Sequence, residues 1–161
     1  MMYASENEFI RDFAERTKAN LELLADGPYE VTQLINSTVG LLIIPREKCF
    51  NSITDNLIKP ELLTRMKNNI GVHTHEGEES IESIDLQKIC RHMRNAVAHG
   101  NIDFKAEKSP LTSGPLTIHS VVFTDTNPHN STEQFKINVS IGLLKEFLFA
   151  FSDAISNLQS V

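Results

Sequence analysis

The chain has 161 residues and a formal net charge of −6; 40% of its residues are hydrophobic and 22% are charged. This length fits one globular domain with a sizeable core, so we predict a single domain over residues 1–161, and the apolar content excludes a disordered protein. The negative net charge excludes a protein that coats nucleic acid through a generally basic surface, but it allows a small basic patch.

Two helices are predicted in the first third of the chain. The first begins at a capping box formed by Ser5 and Glu8, carries an apolar stripe at helical spacing, and ends before Gly27. The second spans residues 29–44 and ends at Pro45. Because this second helix is apolar nearly all round, it is expected to lie in the middle of a helical bundle.

The next stretch gives a weaker pattern. A short helix is predicted to begin at Pro60, and residues 71–79 are predicted to form an exposed acidic loop. In this loop His73, His75 and Glu76 resemble metal ligands, but the His-x-His pattern is frequent by chance. We therefore expect no metal site and no other cofactor.

The best-defined helix in the sequence spans residues 81–99 and ends at Gly100. Ser80 or Ser83 is expected to cap its N-terminus, where acidic side chains are also favourable. One side of the helix is apolar and comprises Leu86, Ile89, Cys90, Met93, Ala96 and Val97. We expect this side to face the core.

The last part of the chain changes to strand character. Residues 116–124 are rich in β-branched side chains, residues 135–139 alternate between apolar and polar, and a turn sequence lies at 127–130. Ser140 is then expected to cap a final apolar-striped helix. The fold class predicted is mainly α, a helical bundle with a β-hairpin inserted before the C-terminal helix.

The polar side of the helix at 81–99 is the strongest functional signal in the sequence. It carries Lys88, Arg91, His92, Asn95 and His99 at steps of three and four residues, with Arg94 at the border. Residues 86–108 contain five basic and two acidic side chains, a local net charge of +3 in a chain of net charge −6. Such a face is commonly a solvated surface, but the small residues Ala96, Ala98 and Gly100 leave room for a ligand or a second backbone.

Residues 94–99, Arg-Asn-Ala-Val-Ala-His, resemble the Arg-polar-x3-His signature of HEPN (higher eukaryotes and prokaryotes nucleotide-binding) domains. Residues 29–36, followed by Gly40-Leu41-Leu42, are similar to the second helix of small stand-alone HEPN proteins of plasmids and defence islands. Residues 91–100 are similar to the end of their third helix. The resemblance implies a HEPN-like antiparallel helical bundle and a metal-independent endoribonuclease in a toxin or defence context.

The residues of this motif suit that chemistry. Cleavage by the 2′-OH of the RNA needs a base, an acid and a cation near the phosphate. His99 titrates in the right range for acid or base, Arg94 can hold phosphate oxygens, and Asn95 can orient His99 or bind phosphate. One histidine cannot readily serve as base and acid together, so the resemblance implies a homodimer in which Arg94 and His99 of both chains share a composite site.

Further substrate contacts are expected from Lys88, Arg91 and His92 on the same polar side, and from Asn36 on the second helix. Asn36, on the apolar second helix, is expected to be buried and either to brace the motif residues or to make a simple helix–helix hydrogen bond. Cys49 is expected to be a buried small hydrophobic residue, as is Cys90 on the apolar face.

The partners expected are RNA, a second copy of the chain and an antitoxin or neighbouring-gene product. Because the chain shows no signal peptide and no run of about 20 apolar residues, we expect a cytoplasmic protein without membrane attachment. Two alternatives stay open. One is a catalytically silent HEPN dimer that binds nucleotides, RNA or protein, and the other is a purely structural bundle with a coincidental motif.

Overall fold

The computed structural model of the protein describes residues 6–24, 27, 30–49, 52–74, 81–107, 117–127 and 130–157. The helices within these ranges are α1 (Glu6–Leu24), α2 (Glu30–Cys49), α3 (Pro60–Lys67), α4 (Leu86–Ala98) and α5 (Ile141–Ser156). The strands are β1 (Ile70–Thr74), β2 (Ile102–Glu107), β3 (Thr117–Asn127) and β4 (Asn130–Ser140). Short 3-10 helices lie at Asp55–Leu57 and Ile81–Ser83.

The four strands form one antiparallel sheet in the order β1-β4-β3-β2. Helix α4 packs against β3 and α2, while α1 packs against α2 and α5. Large side chains from both helices and strands are fully buried between them, among them Leu34, Met93, Phe123, Phe147 and Phe151. The core is therefore shared between the helices and one face of the sheet.

The predicted mainly α class is correct for the helices but understates the sheet. β3 and β4 pair where the alternation predicts a hairpin, directly before α5. The predicted acidic loop at 71–79 is wrong over its first four residues, which belong to β1; residues 75–80 lie outside the described residues. β2 could not be predicted from the sequence pattern, because five of its six residues are exposed and the strand therefore shows no alternation of apolar and polar residues.

Two predicted helix ends also differ from the structure. Helix α2 continues through Pro45 to Cys49, so the proline does not end it as expected. Helix α4 begins at Leu86 rather than at 81, because Asp85 is the N-cap and its carboxylate accepts a 2.7 Å hydrogen bond from the Lys88 backbone N–H. Ser83 lies in the 3-10 helix before Asp85 and does not cap α4, while Ser80 and Ser5, the predicted cap of the first helix, lie outside the described residues.

Other predictions hold. Pro60 opens α3, and the Ser140 hydroxyl caps α5 by accepting a hydrogen bond from the Leu143 backbone N–H. Cys90 is buried, which raises the pKa of its thiol, whereas the side chain of Cys49 lies outside what the structure describes. None of the helices in the described ranges has a stretch long and apolar enough to cross a membrane.

Candidate active site

Two neighbouring rows of side chains on one face of the sheet differ in character. Ile70, Ile137 and Phe123 stand opposite one another on β1, β4 and β3, and we call them the apolar row. His73, Phe135 and Asp125 stand opposite one another further along the same strands, and we call them the polar row. Directly opposed residues share a face, and residues two apart on a strand do too. The polar row therefore continues the core-facing side of the sheet.

A β-bulge in β1 brings His73 into the polar row. The pairing with β4 shifts between Ile70 and Val72, so that His73, three residues after Ile70, stands opposite Phe135. Regular alternation would place Val72 there instead, since side chains on one face recur every second residue. Val72 is 36% exposed as a result.

The polar side of α4 lies over this row. The His92 ring stacks on the Phe135 ring, with centroids 4.4 Å apart and planes 11° from parallel. The His73 ring meets both of these rings edge-on, at centroid distances of 6.0 and 6.2 Å. Three aromatic side chains from α4, β1 and β4 thus form one packed cluster, which fixes the orientation of His92.

Asp125 ties the helix to the sheet through hydrogen bonds. Its Oδ2 lies 2.8 Å from His92 Nδ1 and accepts a second hydrogen bond, of 2.9 Å, from the side-chain amide of Asn95. The Asn95 Oδ1 accepts hydrogen bonds from Nε of Arg94, at 3.0 Å, and from Nη2 of the same guanidinium. Arg91 Nη2 lies 3.5 Å from His92 Nε2. One connected network therefore joins four successive polar positions of α4 to β3.

A cleft of about 320 Å³ opens at this network. The described residues that line it are His73, Thr74, Arg91, His92, Asn95, His99, Asp125, Asn127, Gln134 and Phe135. Of the residues predicted to form the site, the cleft brings together Arg91, His92, Asn95 and His99. Arg94 is not in its lining, but its guanidinium bonds Asn95, which is.

The end of α4 places His99 at the mouth of the cleft. His99 is the C-cap and is exposed, and Gly100 follows it with a positive φ of 70°. The Gly100 and Asn101 N–H groups bond the carbonyls of Val97 and Ala96, the pattern of a Schellman motif. The Asn101 carbonyl then accepts a hydrogen bond from the Thr124 N–H of β3. The predicted glycine stop is confirmed, and it anchors the His99 backbone to the sheet.

Asn36 and Lys88 do not belong to the cleft. Asn36 is exposed on α2, so the expectation that it is buried is wrong and the reason for giving it a bracing role is lost. The helix turns its apolar side inward through Leu34 and Leu41, which leaves Asn36 facing outward. Lys88 lies on the first turn of α4 and is not among the described residues that line the cleft.

Sequence reasoning missed two important side chains of the site, Asp125 and Phe135, and considers the third, His73, only as a loop residue that resembles a metal ligand. The alternation predicts Phe135 only as part of a strand. Asp125 lies among polar residues near the end of β3, where the sequence pattern is ordinary. Only the register of β3 against β4 places it under α4. Its position two residues after Phe123, on the inward side of a strand, was the one available signal.

The electrostatics of His92 favour a neutral ring. Burial lowers the pKa of the His92 imidazole below its ordinary value; the hydrogen bond to Asp125 raises it and the charge of Arg91 lowers it. Because a carboxylate only accepts hydrogen bonds, we assign the ring proton to Nδ1, facing Asp125. The lone pair is then on Nε2, beside the Arg91 guanidinium.

His73 carries an unusual buried atom. Its Nδ1 is shielded from solvent and has no hydrogen-bond partner among the described residues. Unpaired buried polar atoms are rare in native proteins and are costly, so His73 Nδ1 is a candidate contact for a ligand of the cleft. Among the described residues no three His, Cys, Asp or Glu side chains are grouped to hold a metal ion, and His75 and Glu76 lie outside them.

A second groove, of about 700 Å³, runs between α3 and α5. An ion pair between Arg65 and Glu146 spans it at 2.6 Å, with both side chains about half exposed, and exposed pairs of this kind contribute little stability. The described residues of its lining include no histidine. Although the groove is larger, the histidines, which transfer protons near neutral pH, lie in the cleft under α4, which is therefore the candidate active site.

The comparison with known families fits this arrangement. The model of the family HEPN pEK499 p136 matches residues 1–160, so the chain belongs to this HEPN family. The family predicted from the motif and the second helix is confirmed, although the match assigns no role to individual residues. Membership suggests a nuclease or nucleotide-binding function, and HEPN domains commonly form homodimers and bind RNA. No match is found among curated proteins or among solved structures.

Proposed function

We propose that the protein is an endoribonuclease that cleaves RNA through the substrate's own 2′-OH and needs no metal ion. The observation that carries the proposal is the cleft itself, where His99 and Asn95 of the motif share one lining with Arg91 and His92. Imidazole groups can move protons near neutral pH, and a guanidinium can hold phosphate oxygens. These are the groups that transesterification requires.

Each motif residue has a role in this proposal. His99, exposed at the mouth of the cleft, exchanges a proton with the reacting oxygens. Arg91 lines the cleft and is the cation nearest to a bound phosphate, while Asn95 offers its amide to the network around Asp125. Arg94 bonds Asn95 and thereby holds that amide in place, so within one chain it acts as a positioning residue.

A second copy of the chain completes the site in our proposal. A two-fold axis beside the exposed end of α4 would bring Arg94 and His99 of the partner copy towards the same RNA. We further propose a toxin or defence role, with an antitoxin or neighbouring-gene product as the inhibitor. The support for a dimer is family membership and the exposed small residues Ala98 and Gly100 beside His99.

The decisive test is cleavage of a fluorescent RNA in EDTA by the wild type, Arg94→Ala and His99→Ala. We expect the wild type to cleave and His99→Ala to lose about 10²- to 10⁴-fold in rate, the usual contribution of a proton-transferring group. His119→Ala is the matched control, because His119 is an exposed strand histidine outside the cleft. Equal rates for all the proteins would disprove the proposal.

Two further measurements address the partner and the context. Sedimentation should show a dimer at assay concentrations, and a strict monomer would rule out the composite site. Expression of the wild type should slow cell growth, and His99→Ala should relieve this toxicity. Toxicity that persists in His99→Ala would argue against a nuclease toxin.

A binding module without catalysis is the second candidate function. It is favoured by one observation: the Arg94 guanidinium is engaged by Asn95 instead of opening into the cleft. A module of this kind would bind RNA or nucleotides with an affinity that depends on Arg91 and leave the RNA intact. Binding measured by fluorescence anisotropy together with an uncut substrate would establish it.

A further inference from the structure

We propose that His92, held by Asp125, is the general base of the cleft and works with His99 of the same chain as general acid. This inference rests on the proposed function, because it names the group that accepts the 2′-OH proton. Within the proposed dimer each chain then supplies a base and an acid of its own, while the partner copy brings its Arg94 towards the same RNA.

The His92–Asp125 pair has the geometry of an oriented base. Nδ1 of His92 lies 2.8 Å from the Asp125 carboxylate, and both side chains are more than four-fifths buried. The ring is clamped by its stack on Phe135, so its Nε2 has one direction in which to accept a proton. A carboxylate that holds one ring nitrogen also stabilises the imidazolium formed when the other nitrogen takes a proton.

The groups around His92 keep it ready to accept. On its own helix Arg91 lies beside Nε2, on β1 His73 meets the ring edge, and on β3 Asp125 holds Nδ1. β4 contributes the uncharged ring of Phe135. The net effect lowers the pKa of His92, so the ring is neutral near pH 7. Arg91 next to Nε2 also places a positive charge where a phosphate would lie.

The spacing of the two histidines suits an in-line reaction. His92 and His99 are seven residues apart, which is about two helical turns and about 10 Å of rise on the same side of α4. Base and acid must contact opposite sides of the phosphorus, so they need to be separated by the width of a phosphodiester. Asn95 and Arg91 line the cleft together with both histidines.

The reaction step is then balanced within one cleft. His92 Nε2 takes the proton of the 2′-OH, and the 2′-oxygen attacks phosphorus to form a new P–O bond. The P–O5′ bond breaks, and protonated His99 donates its proton to the leaving 5′-oxygen. The products are a 2′,3′-cyclic phosphate and a 5′-OH end, with His92 protonated and His99 neutral.

A substrate with sulfur in place of the 5′-bridging oxygen separates the two roles. A thiolate leaves without a proton, so this RNA needs the base but not the acid. We expect His92→Asn and His99→Asn each to cleave normal RNA about 10²-fold or more slowly than the wild type. On the thio substrate His99→Asn should recover to within about ten-fold of the wild type, whereas His92→Asn should not. His92→Asn keeps an amide that can bond Asp125, and thermal unfolding checks that it is folded.

The dependence of kcat/KM on pH gives a second test that does not rely on replacing His92. The rate should rise as His92 loses its proton, on the acid side of pH 7. Asp125→Asn removes an influence that raises the pKa of His92, so this limb should move to lower pH. Arg91→Gln removes one that lowers it, so the limb should move to higher pH. A purely structural role for Asp125 would reduce the rate without moving the limb.

The possible outcomes separate this inference from the proposed function. If the wild type cuts neither substrate, both fail. If His99→Asn is inactive on normal RNA while His92→Asn cleaves like the wild type, the nuclease stands and His92 is not its base. Recovery of both variants, or of His92→Asn alone, on the thio substrate would also overturn the assignment. Mixing the two inactive variants should restore no activity, because acid and base belong to one chain; restoration would show that they come from different chains.

Discussion

The apolar row and the polar row lie side by side on the same three strands, yet the first forms part of the core and the second lines the cleft. Ile70, Ile137 and Phe123 are at most 6% exposed and belong to the main core. His73 and Asp125 of the polar row keep titratable groups beside an open cleft. The difference lies in what covers each row: the apolar row is closed by the core, and the polar row by the polar side of α4.

This contrast shows how the site obtains its rigidity. The strands that carry the polar row are fixed by the apolar row two or three residues away, so Asp125 and Phe135 need no loop to position them. Side chains held on strands and helices are placed more accurately than side chains on loops. The cost of the cleft in stability therefore arises where polar atoms are buried, as at His73 Nδ1.

The largest effect that separates the two rows is expected from Asp125→Asn in the polar row. The substitution keeps the size of the side chain but removes the carboxylate that orients His92, so cleavage should fall about 10²-fold or more. The free energy of unfolding should change by much less than the activation free energy that corresponds to this loss of rate. Single-turnover cleavage and chemical denaturation of the same preparation measure both quantities. A fall in stability large enough to explain the lost activity would break the distinction between the rows.

The reverse result is expected from Ile137→Ala in the apolar row. Removing a fully buried isoleucine should cost about 2–5 kcal/mol in the free energy of unfolding, because it leaves a cavity. Under conditions where the variant is folded, its cleavage rate should stay within about two-fold of the wild type, since compact cores keep their backbone geometry. Denaturant unfolding and initial rates at low temperature give the comparison. A variant that is stable but inactive would show that the two rows are not separable.

A smaller effect is expected from His73→Leu. The change removes a buried nitrogen that has no partner among the described residues, so the free energy of unfolding should stay equal or rise, by up to about 1 kcal/mol. RNA affinity should fall several-fold, because we expect Nδ1 to bond the ligand. Thermal unfolding and fluorescence anisotropy give the two values. If stability drops while affinity is unchanged, the nitrogen serves the fold and not the ligand.

The smallest expected effect is on stability as a function of pH. The pKa of His92 is lowered in the folded protein relative to its value of roughly 6.5 in an unfolded chain. The unfolded state therefore binds more protons in the window below that value, and stability should fall as the pH drops through it. His92→Asn should lack this component. Denaturation curves at pH 7 and pH 5 give the free energy of unfolding of both proteins. The same change in this free energy between the two pH values for both proteins would contradict a neutral buried ring.

Much of the helical framework was predictable because helices repeat locally. Periodicity identified the core face of α4, and all of its predicted members except the half-buried Val97 are buried. Gly100 was identified as the end of the helix because glycine adopts the positive φ that a Schellman motif requires. The polar stripe also predicted four of the residues that line the cleft.

The remainder of the site depends on pairing between distant strands, which leaves no local trace. His73 enters the cleft only because a bulge shifts the register of β1. Asp125 lies under α4 only because β3 pairs with β4 in the observed register. Arg94 is predicted to contact substrate because of its motif position, but its guanidinium donates hydrogen bonds to the side chain of its neighbour Asn95. Rotamers and registers of this kind are set by tertiary packing.

The most direct test of the account is the chemistry of the RNA ends made in EDTA. Fragments produced by the wild type should carry 2′,3′-cyclic phosphate and 5′-OH termini when analysed by mass spectrometry. The same fragments should form about 10²-fold or more slowly with His99→Ala and at an unchanged rate with His119→Ala. Products that carry 5′-phosphate ends, or cutting by His99→Ala at the rate of the wild type, would contradict cleavage by the histidines of the cleft.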